Sequence, residues 1–152
     1  MTASLPLIVS LLLMQAPPQT PPKPTVPAPV QGPYEFTTDL GAFLIVVKSD
    51  KAAQFDGAMA RLKQVISASS NKDRKAQAVG WRVLKSSEDA TDGAITYLWL
   101  VEPAAKTASY DPIAIMKELS PADVQPVYDQ LQASVVSITR IGLKELLKMG
   151  GS

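Results

Sequence analysis

Neither cysteine nor histidine occurs anywhere in the 152 residues of this chain. Without cysteine there are no disulfides, thiolate nucleophiles, zinc–thiolate sites or lipid-modified N-terminal cysteine. Without histidine the usual near-neutral proton shuttle and the commonest metal ligand are missing. Serine–histidine hydrolysis, histidine-ligated haem and most catalytic zinc sites are excluded with it. Acid–base chemistry is left to carboxylates, lysine and tyrosine. Charge of one sign is lacking too. Of the 15 basic residues Lys23 lies in a proline-rich stretch, and the other 14 face 14 acidic residues. A nucleic-acid partner would call for a clustered basic excess, and none is present, so no nucleic-acid partner is expected.

What is there begins with an apolar run, Leu5–Met14. A membrane span needs about 20 apolar residues, so this run has signal-peptide length, with Ala16 as the small residue before a cut. No lysine or arginine precedes it and Pro17 follows, so an apolar N-terminus on a cytosolic protein or a misplaced start is the alternative. Residues 17–33 hold most of the chain's 13 prolines and favour extended polyproline II, a stiff spacer. The expected organisation is a signal at 1–16, a tether at 17–33 and one domain at 34–152. Localisation is expected to be exported, periplasmic or secreted, with membrane contact only through an uncleaved signal.

The domain opens on Leu40–Val47, apolar and β-branched on both alternating sets, which predicts a strand buried on two faces. Ser49 or Asp50 is placed to cap a following helix, in which Phe55, Met59, Leu62 and Ile66 form one apolar stripe. Residues 67–78 are polar and lysine-rich and read as a loop or a frayed turn. Strands at 79–86 and 94–102 flank an Asp92-Gly93 turn signal. The first carries Arg82 and Lys85 as an edge strand does, whereas the second is apolar on both sides apart from Thr96. Asp111-Pro112 and Ser120-Pro121 announce helices at 112–119 and 121–133, Asp123 completing a capping-box-like pair with Ser120. A short edge strand is expected at 137–143, with a helix as the alternative for that stretch.

The order is β-α-β-β-α-β, an α+β fold of ferredoxin-like type: a four-stranded antiparallel sheet with helices on one face. Two helices cover one face only, so central strands apolar on both sides imply a second covering element. If Ser86 lies near Ala94, then Trp81 opposes Trp99 and Val83 opposes Tyr97, all on one face. Trp81, Val83, Tyr97 and Trp99 are therefore candidates for a ligand wall or a dimer face, with core packing as the alternative. The open face is assigned to this cluster, and Leu84, Leu98 and Leu100 to the side beneath the helices. Glu88, Asp89 and Asp92 lack calcium-loop spacing and read as a solvated turn. Lys72, Arg74 and Lys75 read as solvated surface. No metal site and no cofactor are expected.

The run from Phe43 to Lys48 into Ser49-Asp50-Lys51-Ala52-Ala53-Gln54-Phe55 resembles the opening of dimeric α/β-barrel domains, among them antibiotic-biosynthesis monooxygenase-like, NIPSNAP-like and haem-degrading proteins. The resemblance extends in element order over about residues 40–143. It implies two ferredoxin-like sheets pairing into a barrel and a small-molecule cavity between sheet and helices. The segment from Val79 to Ser86 is also similar to an exported bacterial family with a tryptophan-bearing strand, a similarity that implies no activity. Haem-degrading members use a histidine ligand, absent here. Quinone-forming members place Asn and Trp at the reactive carbon, and Asn71, the sole asparagine, falls in the polar stretch. The expectation is thus a non-enzymatic exported domain that forms a homodimer or binds a partner. The alternatives are a binder of a small hydrophobic ligand and a cofactor-independent monooxygenase-like enzyme.

Overall fold

The computed structural model describes residues 32–88 and 92–150. The expected signal, nearly all of the tether and Asp89 lie outside the described residues. Strands β1 (Leu40–Lys48), β2 (Trp81–Lys85), β3 (Ala94–Val101) and β4 (Val135–Leu143) form one sheet in the order β2-β3-β1-β4. Every neighbouring pair is antiparallel. Helices α1 (Ala52–Ala68), α2 (Lys72–Val79), α3 (Pro112–Leu119) and α4 (Val124–Ser134) complete the unit. This is the ferredoxin-like arrangement, with the two-sided apolar strands β1 and β3 central and the charged strands β2 and β4 at the edges. Among the described residues no helix is long and apolar enough to cross a membrane.

The stripe of α1 faces the sheet: Phe55, Met59, Leu62 and Ile66 are all buried. Neither Ser49 nor Asp50 caps it, contrary to expectation. Residues Ser49–Lys51 form a 3-10 turn in which the Ala52 N–H donates to the Ser49 carbonyl, and the Ser49 N–H donates to the Gly93 carbonyl. Backbone bonds thus do the work expected of a side chain. The polar stretch after α1 is not a loop but holds α2. Its N-cap is Asn71, whose Oδ1 accepts from the Asp73 and Arg74 amides at 3.0 Å each. Helix α3 occupies the expected span, its Asp111 cap accepting from the Ile113 N–H at 2.9 Å. Ser120 and Asp123 do meet, but side chain to side chain, and residues Pro121–Asp123 are a 3-10 turn leading into α4.

Asp92 and Gly93 both adopt the left-handed conformation, φ 53° and 72°, as a tight hairpin turn requires. The hairpin register nevertheless lies two residues from the expected one. Ser86 donates to Thr96 rather than lying near Ala94, Trp81 pairs with Val101 and Val83 with Trp99. The reason is that Ala94 and Ile95 pair only with β1, across Lys48 and Val47. A shift of two preserves the side-chain parity, so Trp81, Val83, Tyr97 and Trp99 do share a face.

That face is the helix-covered one, the reverse of the expected assignment. Trp99 and Tyr97 are 1% and 2% exposed, with Phe55 of α1 packed on both, at 4.5 Å between centroids for Tyr97 and 6.4 Å for Trp99. The bulky rings span the gap between sheet and helices, a gap the smaller leucines would leave underfilled. The opposite face has no helix over it. Leu84, Leu98 and Leu44 form a row across three strands there, and Leu44, Leu84 and Ile141 are exposed. A dimer through the open face would therefore use the leucine set and not the tryptophans. Loop residues also enter the core: Phe36 and Tyr110 are buried, and the Phe36 ring lies over Gly41 where a Cβ would stand.

Candidate functional site

Two hollows open on the helix side of the sheet. The first, about 300 Å³, lies between the sheet and helices α3 and α4. Trp99 and Phe55 line it, with Ile113, Leu131 and Ile138 as aliphatic wall and Tyr34, Tyr128 and Gln132 as its polar groups. The second, about 430 Å³, runs between α1 and strand β2, against Met59, Leu62, Lys63, Ile66, Trp81 and Val83. A further hollow of about 720 Å³ among the loops is edged by Asp39, Glu102, Lys106 and Glu145. The first is the one that reaches the aromatic core at Trp99 and Phe55. An apolar, aromatic-lined pocket with a few convergent polar groups is the usual form of a small-molecule site.

The polar groups of this cavity are donors. Burial, and then the Asp111 carboxylate, push the Tyr34 hydroxyl above its ordinary range, so it keeps its proton. The Trp99 indole N–H is buried with no hydrogen-bond partner, and so is that of Trp81. Phe43 and Trp81 meet Trp99 edge-on at 5.7 and 5.2 Å, but aromatic rings are weak acceptors. An orphaned buried donor costs about 1–3 kcal/mol, and neither N–H is reached by solvent.

The four residues expected to form one site are divided by the structure. Trp99 lines the first cavity, Trp81 and Val83 line the second, and Tyr97 lines neither. The Tyr97 hydroxyl donates to Asp56 at 2.7 Å, and Lys85 donates to the other Asp56 oxygen at 3.0 Å. Burial, then the bond to Asp56, raises the Tyr97 hydroxyl, which makes this trio a link between α1 and the hairpin. Arg74 is no free surface cation: it binds Glu118 at 2.6 Å. Asn71, expected in a loop, caps α2 and donates to Glu118 at 2.7 Å, away from both cavities. Among the described residues no group of three His, Cys, Asp or Glu side chains is placed to hold a metal. Sequence reasoning missed Tyr34, Tyr128 and Gln132. A signal for the last two was present, since they are four residues apart on α4 and share a helical face.

No protein-family model matches the chain, and no curated protein matches it. Solved structures similar to it include two at low identity. One is SnoaB, a cofactor-independent oxygenase from Streptomyces nogalater, 14% identical, with a TM-score of 0.40 over 72% of this chain and 98% of that one. The other is a proposed antibiotic-biosynthesis monooxygenase from Caulobacter crescentus, 16% identical, with a TM-score of 0.37 over 72% and 94%. Both are named as oxygenases, against the expectation of a non-enzymatic domain. That expectation leaned on the absence of histidine, cysteine and metal motifs. The likeness itself bears on the fold, and an activity has to rest on the cavity.

Proposed function

We propose that this domain is an enzyme for a small, planar, largely apolar substrate, bound between the sheet and helices α3 and α4, and that it works as a cofactor-independent oxygenase. The observation that carries the reading is the cavity itself, walled by the rings of Trp99 and Phe55 with the hydroxyls of Tyr34 and Tyr128 and the amide of Gln132 as its polar groups. Tyr34 and Gln132 are donors on that wall. Together they suit the oxygen of a phenolate or enolate whose proton has passed to bulk water. Such a carbanion-like substrate can itself supply electrons to dioxygen. In the balanced reaction a CH2 group and O2 give C=O and H2O, and the protein's part is to orient the substrate and exclude water. Asn71 takes no part, so the donor set differs from the Asn-and-Trp pair of the family resembled.

A hydroxylated polycyclic arene panel tests this by oxygen uptake in the presence of a chelator and without flavin. We expect uptake with at least one member, reduced about 10-fold or more in Tyr34→Phe, which removes a donor and keeps a ring. No uptake and no quenching of tryptophan fluorescence by any member would overturn the reading.

Self-association belongs to the same proposal. The apolar row Leu84, Leu98 and Leu44, with Ile141 beside it, needs a cover, and a second copy pairing sheet to sheet as in a dimeric α/β barrel supplies one.

A further inference from the structure

Strand β2 pairs with β3 on one side and, among the described residues, with nothing on the other. The Ser86 N–H donates to Thr96 and the Glu102 N–H to the Gly80 carbonyl, so the even positions 80, 82, 84 and 86 direct their main-chain groups at β3. In an antiparallel ladder the alternate residues turn theirs outward. Trp81, Val83 and Lys85 therefore present a row of N–H and C=O groups at the free edge. The side chains of Trp81 and Val83 line the 430 Å³ groove against α1, beside this edge. A free strand edge alongside an apolar groove below a helix can take an added strand: main-chain bonds hold it, and alternate side chains enter the groove.

We propose that the β2 edge and the groove under α1 bind an extended peptide with apolar residues at alternate positions and one carboxylate. The carboxylate follows from charge. Lys63 lines the groove and has no ion-pair partner among the described residues, whereas Lys85 is bound to Asp56 and Arg82 lies 3.7 Å from Glu102. The unbalanced charge at the groove is one cation. The chain's own proline-rich stretch is a poor occupant, because proline lacks the N–H that the outward carbonyls need. This site is separate from the cavity of the proposed oxygenase, and neither proposal needs the other.

Selection of a random octapeptide display library on the full-length protein tests it. The expected winners alternate apolar with polar residues and carry an Asp or Glu. Lys63→Glu should reverse that preference to Lys or Arg. Amide exchange with a selected peptide should slow at Trp81, Val83 and Lys85, while Arg82 and Leu84, already bonded to β3, stay unchanged. N-methylation of one alternate set of peptide amides should weaken binding about 10-fold or more, and of the other set hardly at all. Val83→Pro removes an outward N–H and leaves the β3 ladder intact, so it should bind no peptide yet fold. If that variant unfolds, the methylated peptides still decide. No enriched peptide, equal effects of both methylated sets, or no slowing at the three odd positions would overturn the proposal. So would peptides that bind only by dissociating a dimer.

Discussion

Gly80 stands where the chain passes from α2 into β2, and its backbone lies against the end of β3. A Cβ there would sit 2.5 Å from the Glu102 carbonyl oxygen and 2.7 Å from that of Pro103. Both obstacles are backbone, which cannot swing aside as a long side chain can. Gly80→Ala is therefore expected to destabilise the domain by about 2 kcal/mol, the usual scale of overpacking. Thermal unfolding should show it as a drop of roughly 8 °C in Tm for a domain of this size. An unchanged Tm would mean the strand end moves freely. Trp99 illustrates the same scale from the other side. It was recognisable in the sequence as a large apolar residue on the face shared with Trp81, but nothing local could say that its N–H would lack a partner.

Among the elements, α2 depends most on side-chain bonds. Asn71 caps it, Arg74 reaches Glu118 of α3, and the buried Gln77 donates to the Ser109 carbonyl at 2.9 Å. The Arg74 guanidinium holds the Glu118 carboxyl below its ordinary range, with Asn71 assisting. A carboxyl depressed on folding contributes stability that is present above its unfolded value and is lost as pH falls through its folded value. Amide protection in α2 should therefore decline as pH drops through and below the ordinary carboxylate range. Glu118→Gln should lower protection at neutral pH and flatten that dependence, which NMR-detected exchange measures. Glu118 is well exposed, so the effect on global stability should be small. An equal acid loss of α2 protection in both proteins would assign it elsewhere.

On the scale of the whole molecule, the helices fill one side of the sheet and leave the leucine row on the other. Light scattering at micromolar concentration is expected to give a dimer's mass, because sheet pairing of this kind removes more than about 1,000 Å² from water. Leu98→Glu should convert it to a folded monomer, with far-UV circular dichroism unchanged. Trp99→Glu, on the covered side, should instead unfold the chain, since an isolated buried charge costs several kcal/mol. A monomeric wild type would end the idea of self-association, and so would a Leu98→Glu dimer.

Element order, the central and edge roles of the strands and the stripe of α1 followed from the sequence alone, because each depends on local periodicity and on where charges fall along a strand. The helix at 112–119 was legible from its Asp111-Pro112 start, and alternation favoured the strand at 137–143 over a helix. Helix α2 and its Asn71 cap were not read, because a short, polar, lysine-rich span shows no apolar stripe. The sheet face that meets the helices was not legible, since both parities of β1 and β3 are apolar and alternation cannot rank them. Nor was the hairpin register, which depends on β1 extending beyond the end of β2. The cavity beside Trp99 is tertiary throughout. Its wall brings together Tyr34, Phe55, Trp99 and Gln132, residues far apart in the chain whose meeting depends on how the helices lie across the sheet.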